Sequence, residues 1–213
     1  KEWKRNTKGG DKHSLKIAMV GQKRIPSREG GVEVVVDELS TRYVKLGHRV
    51  DAYNRSGYHV SGKEFDESRG KIYEGIRLIT IPTFKSSSLN AMVYSVLASI
   101  RLLFGGYDVV HYHAEGPCTM LWLPKFFRYH VVATIHGLDW QRSKWGGFAA
   151  AVLKFGERMA AKHADDVIVL SKNVQDYFRK TYGRETLFIP NGVNRPESVE
   201  AKEITEKYGL EKD

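Results

Sequence analysis

LKIAMVGQKRIPSREGGVEVVVDELSTRYVKLGHRVDAYN, residues 15–54, is the stretch whose reading decides the fold. It opens on an apolar run, LKIAMV, crosses a loop carrying Lys23, Arg24 and Arg28, and reaches Gly30 and Gly31 before a second valine-rich run. That run, VEVVV, has the composition of a strand. Its apolar positions nevertheless continue as Val32, Val35, Val36, Leu39, Tyr43 and Leu46, and steps of three and four keep one face of a helix apolar. The spacing predicts a helix over 32–46, closed by Gly47, where a helix end wants a left-handed residue. RVDAYN then resumes a strand. Strand, helix, strand is the unit from which parallel sheets are built.

Working outward, the same alternation continues. Strand candidates after RVDAYN are IRLITI, YDVVHYH, HVVATIH, DDVIVLS and ETLFIP, and several are continuously apolar, as strands covered on both faces are. Helical patterns lie between them over 89–104, 119–127, 148–163 and 172–182. The expected fold class is α/β: a doubly wound, mainly parallel, Rossmann-like sheet with helices on both faces. NRSGYHVSGKEFDESRGKIYEG is polar and glycine-rich and reads as a surface excursion, with a small hairpin around KIYEGIRLI. The expected organisation is an extended or disordered tail over 1–14, one domain over 15–196, and the start of a linker over 197–213.

The chain has 213 residues, of which 34 are basic and 25 acidic, a net charge of +9 that favours anionic partners. One cysteine, Cys118, excludes an internal disulfide framework and a cysteine-rich zinc site, and fits a reducing, cytosolic setting. KEWKRNTKGGDKHS has a basic start with no apolar region behind it, so it does not read as a secretory leader. No apolar run reaches the roughly 18 residues of a spanning helix. The basic residues are dispersed and not interleaved with aromatics, which argues against nucleic acid.

In an open α/β sheet, ligands bind beyond the carboxyl ends of the strands. After the first strand, GQKRIPSREGG places Gly30 and Gly31 before a helix whose free N–H groups favour an anion, with Lys23, Arg24 and Arg28 adding positive potential. The loop lacks both the glycine-rich dinucleotide fingerprint and the Gly-Lys-Ser/Thr ending of a P-loop, and a loop of solvated charges is the plainer alternative. In HYHAEGP, His111 and His113 are expected to face opposite ways, leaving His113 and Glu115 as polar groups toward a substrate; no second ligand cluster supports a metal. In TIHGLDW, His136 ends a strand and is followed by Asp139, Trp140, Gln141 and Arg142, a carboxylate beside an aromatic that suits a sugar or simply a capped turn. Ser171 reads as a helix N-cap and Asn191 as a turn residue at the cleft end of the last strand. Asp165 and Asp166 precede their strand, on the wrong edge of the sheet, and read as a turn.

Taken in order, GQKRIPSREGGVE, VVHYHAEGP, VVATIHGLDW, VIVLSKNVQDYF and LFIPNGVN resemble the N-terminal half of family 4 glycosyltransferases of GT-B fold. The likeness is nearest to bacterial rhamnosyltransferases of capsule and cell-wall polysaccharide assembly. The resemblance implies two Rossmann-like domains facing a cleft, an acceptor side here and a nucleotide side in a C-terminal domain of the same protein. It implies that Gly30, Gly31 and Arg28 approach the donor diphosphate, that His136 lies near the transferred sugar as the catalytic-side residue, and that Lys23, Arg24, His113, Glu115, Asp139, Trp140 and Asn191 serve the acceptor or sugar. Transfer with retention, independence from metal, a dTDP-rhamnose or other nucleotide-sugar donor, and a lipid-linked or glycan acceptor follow in the same way. So do a cytoplasmic location, with peripheral contact at the inner face of the membrane, and inactivity of this piece alone. A dinucleotide enzyme is opposed by the missing fingerprint and by Asn54 and Arg55 where an acid belongs; a receiver domain lacks its acidic cluster, and a non-enzymatic α/β module stays open.

Overall fold

A computed structural model describes residues 14–56, 71–83, 87–141, 146–193 and 207–209. The tail over 1–13, the excursion over 57–70, Arg142 and nearly all of 197–213 lie outside the described residues.

The elements run β1 (Lys16–Val20), α1 (Gly31–Lys45), β2 (Arg49–Arg55), β3 (Ile72–Tyr73), β4 (Ile76–Ile81), α2 (Ser87–Leu102), β5 (Val109–His113), α3 (Glu115–Cys118), α4 (Trp122–Phe126), β6 (His130–Ile135), a 3-10 turn at Asp139–Gln141, α5 (Gly147–His163), β7 (Asp166–Val169), α6 (Lys172–Tyr182) and β8 (Leu187–Phe188). They form one sheet in the order β3-β4-β2-β1-β5-β6-β7-β8, parallel except for the β3–β4 hairpin. The chain winds outward from β1 to β2 and β4, then returns to β5 on the other side of β1. That reversal between β1 and β5 is the crevice where this architecture binds ligands.

The two-residue period of the strands sorts the core into two layers. Ile17 and Met19 of β1 join Val50 and Ala52 of β2 and meet Val36 of α1. Ala18 and Val20 point the other way, into a larger layer with Tyr94, Ala98 and Leu102 of α2, Leu121, Ala160 and Ala161 of α5, and Phe178 of α6. Helices thus cover both faces unequally. Among the described residues, α1 serves one face and the later helices the other. Each fully buried large side chain contributes about 1.5–3 kcal/mol, so both layers matter to stability.

Most boundaries agree with the sequence to within one or two residues, and the helix over 172–182 coincides with α6. Ser171 caps α6, its hydroxyl accepting the Val174 N–H at 3.3 Å. Gly47 closes α1 with φ +91°. Within the helix expected over 119–127 only α4 is α-helical, and α3 lies just before that range. Pro124 accounts for the late start: it has no N–H to give the Met120 carbonyl, and it sits in the first turn of α4. Asp165 is structural, as expected: its carboxylate accepts from Lys125 and from the Val131 N–H.

Candidate functional site

The loop after β1 is held against the ends of the neighbouring strands. Gly21 has φ +127°, and a Cβ there would stand 2.1 Å from the His113 carbonyl oxygen, so only glycine lets the loop cross the end of β5. Asn54 fixes the next turn: its Oδ1 accepts the Ile25 N–H at 3.1 Å and its Nδ2 donates to the Ile25 carbonyl at 2.8 Å. Ile25 is fully buried. The loop backbone is thus anchored, while the charged ends of Lys23 and Arg28 reach solvent.

The glycine corner differs from expectation. Glu33, three residues after the N-cap Gly30, turns back over it; a Cβ on Gly30 would lie 2.0 Å from Glu33 Oε2. The Glu33 carboxylate also accepts the Lys23 N–H at 2.9 Å and is buried. The room that Gly30 leaves is therefore taken by an internal anion, the reach-back of an acid at the third helical position. Gly31 remains open, with nothing within 4 Å of where its Cβ would be. Lys23 and Arg28 are exposed and Arg24 is half-buried. Arg28 reaches Glu38 Oε1 at 3.4 Å along the flank of α1, which directs it away from the helix start.

At the ends of β5 and β6, three imidazoles stack. The rings of His111 and His113 lie 4.1 Å apart and those of His113 and His136 5.5 Å apart. His111 and His113 share one face, contrary to the expectation that they alternate, because residues two apart on a strand point the same way. His113 is fully buried, and its Nδ1 is 3.2 Å from Nε2 of the half-exposed His136. His111 Nε2 meets Thr134 Oγ1 at 2.7 Å. Burial pulls His113 well below the ordinary imidazole value, with His111 and His136 adding to the shift. It takes His111 down to about 3. His136 is lowered by burial, partly offset by the carboxylates of Asp139 and Glu33. All three are neutral at neutral pH.

Two residues expected to contact substrate make hydrogen bonds within the scaffold. Glu115 is 1% exposed, and its two carboxylate oxygens accept the Asp139 N–H. It shapes the loop after β6 and does not face a cleft. Trp140 donates its indole N–H to Glu157 at 2.9 Å, with Lys154 Nζ 4.7 Å from the ring centroid. Its hydrogen-bonding edge is therefore spent inside the protein. Asp139 stands on the 3-10 turn beside His136. Asn191 is exposed past β8, and β6 and β7 separate that strand from β5. The structure thus gathers Gly31, Lys23, His136 and Asp139 around the β1–β5 crevice, backed by His113 and Glu115, and leaves Asn191 at the sheet edge.

Sequence reasoning missed Glu33, Glu157 and Arg55. Glu33 sits at the helix position where a capping acid belongs, and that signal was there to use. Glu157 is the single acid of α5 and is fully buried, accepting also from Tyr177 and Tyr182. Arg55 lies 4.7 Å from the Tyr94 ring centroid and donates to the Gly21 carbonyl at 3.4 Å, which ties β2 to the site loop. Among the described residues, no group of three or more His, Cys, Asp or Glu is arranged to hold a metal ion.

Residues 29–195, which include the α1 start, the histidine stack and the loop after β6, match the model of Glycosyltransferase Family 4. This chain belongs to that family. No curated protein matches its sequence significantly. The fold of this family 4 chain is similar to sucrose-phosphate synthase from Thermosynechococcus elongatus, with TM-score 0.65 and 17% identity, over 92% of this chain and 53% of that one. It is similar to HepE from Anabaena, solved with UDP and glucose, with TM-score 0.62 and 16% identity, over 92% and 50%. It is also similar to WaaG, a glycosyltransferase involved in lipopolysaccharide biosynthesis, with TM-score 0.60 and 14% identity, over 92% and 52%. At such identities the likeness speaks for the fold, the Rossmann-like unit of GT-B glycosyltransferases. The chain spans about half the length of each of these structures.

Proposed function

We propose that this chain is the N-terminal, acceptor-side half of a retaining, metal-independent glycosyltransferase that uses a nucleotide sugar. In its most specific form the reaction is rhamnosyl transfer from dTDP-rhamnose during capsule or cell-wall polysaccharide assembly. One observation carries the reading within the family. The open start of α1 at Gly31 and the end of β6 at His136 both lie at the β1–β5 reversal, where a ligand of this architecture sits. Gly31 leaves room for the donor diphosphate to approach the start of α1, Lys23 adds positive charge beside the Glu33 carboxylate already seated there, and His136 and Asp139 face the transferred sugar or the accepting hydroxyl. Gly30 contributes by admitting Glu33, and Glu115 and His113 by holding Asp139 and His136.

The test is transfer from labelled dTDP-rhamnose, and from UDP and GDP sugars, to lipid-linked acceptors by the full-length protein and by this chain alone. Turnover by the full-length protein with loss in Gly31→Val, and none by this chain, is the expected result. Efficient turnover by the chain alone overturns the acceptor-half assignment. No turnover with any nucleotide sugar overturns the activity.

A surface feature favours contact with an anionic membrane at the cytoplasmic face. Ile100 and Phe104 at the end of α2 and Trp122, Phe126 and Phe127 of the adjacent α4 segment are exposed, and Phe104 and Phe126 are 79% and 77% accessible. Arg101 and Arg128 are exposed beside them. Apolar side chains flanked by cations suit the boundary of an acidic bilayer. No helix among the described residues is long and apolar enough to cross one. Salt-sensitive sedimentation with phosphatidylglycerol vesicles is expected, and its absence removes this contact.

A further inference from the structure

The histidine stack fixes where a proton sits. One hydrogen lies between His113 Nδ1 and His136 Nε2, 3.2 Å apart. His113 is fully buried, and its other nitrogen, Nε2, is buried with no hydrogen-bond partner. Two arrangements of the neutral pair are available. If His136 Nε2 carried the shared hydrogen, His113 would carry its own on Nε2, as a buried N–H with no acceptor. If His113 Nδ1 carries it, the atom left alone is an unshared lone pair. A buried donor without an acceptor is the rarer and costlier orphan, so the second arrangement is favoured.

We infer that His113 donates its Nδ1–H to His136 Nε2 and thereby holds His136 as the Nδ1–H tautomer. His113 is a positioning residue. The ring of His111, 4.1 Å away on the other side and tied to Thr134 Oγ1, keeps it in register. The result reverses the Nε2–H form that a solvated neutral imidazole favours. It turns the half-exposed His136 from a base into a fixed donor at the end of β6. Resting on the glycosyl-transfer reading, His136 then offers a hydrogen to an oxygen of the sugar or of the departing phosphate. It does not remove a proton from the acceptor hydroxyl.

The decisive measurement needs no turnover, so it stands or falls apart from that reading. In two-bond 1H–15N correlation spectra of the uniformly 15N-labelled chain above pH 7, His136, assigned by its loss in His136→Gln, is expected to show an unprotonated Nε2. His113→Phe is expected to return most of the His136 population to the Nε2–H form, whereas His111→Phe leaves the Nδ1–H form in place. A wild-type His136 protonated on Nε2 overturns the inference even if His113→Phe fails to fold. So does a His113→Phe protein that folds and keeps His136 protonated on Nδ1.

Discussion

Both carboxylate oxygens of Glu115 accept the backbone N–H of Asp139, at 3.2 and 3.1 Å, joining the end of β5 to the loop after β6. Glu115→Ala leaves that amide without this acceptor in a site that is 1% exposed. The expected loss is about 2–3 kcal/mol, the scale of a buried hydrogen bond to a charge. A chain of this length melts roughly 2–4 °C lower for each kcal/mol, so calorimetry resolves it. Glu115→Gln keeps one oxygen and loses less. An unchanged melting temperature in Glu115→Ala means the contact does not hold the loop.

Gly156 separates local preference from packing. In the middle of α5, alanine is favoured over glycine by about 1 kcal/mol. A Cβ at Gly156 would stand 1.9 Å from the Glu115 carbonyl oxygen, a backbone atom that cannot swing aside. Gly156→Ala is therefore expected to lose about 1–3 kcal/mol net, as overpacked sites do. A gain in urea midpoint would show that α5 can move off the α3 segment.

Glu157 collects three donors: the Trp140 indole N–H at 2.9 Å, and the Tyr177 and Tyr182 hydroxyls at 2.9 and 2.5 Å. Glutamine has nearly the same shape, but its NH2 must face either the indole N–H or the two hydroxyls, all of which donate to the carboxylate. Glu157→Gln is expected to cost about 3 kcal/mol, close to Glu157→Ala, because the defect is unpaired donors and not lost volume. Guanidinium titrations of both variants test this. A glutamine variant as stable as the parent would mean that the hydroxyls turn and accept.

Acidification is expected to destabilise the chain. Burial lowers His111 from 6.5 to about 3, and lowers His113 and His136 in the same direction. Below pH 6.5 the unfolded chain binds protons that the folded chain refuses. Stability is therefore full above that pH and falls as pH drops toward the folded values. The urea midpoint should fall between pH 7 and pH 5, and fall less in His111→Phe. A midpoint equal at both pH values would mean the stack takes up protons without opening.

Much of the fold was legible because its signals are local. Val32, Val36, Leu39 and Tyr43 recur at helical spacing whatever they touch, and the apolar strands owe their composition to being covered on both faces. The site was legible as a place, since strand order alone puts ligands at the carboxyl ends. Its residue roles were harder to read. Trp140 beside Asp139 has the same spelling whether the indole meets a sugar or Glu157, which lies 17 residues further on. Gly30 reads alike whether it makes room for a phosphate or for Glu33.

From its residues alone the chain was committed to alternating strands and helices, to a parallel sheet and to an anion-favouring helix start after β1. Those follow from backbone periodicity and the turn chemistry of glycine and proline, which act between near neighbours. Which polar groups stay available was decided only when the sheet closed. Packing put Glu115 under Asp139, Glu157 under Trp140 and His113 behind His136. A buried donor or acceptor takes whichever partner three dimensions bring within about 3 Å, and distance along the chain carries no record of that choice.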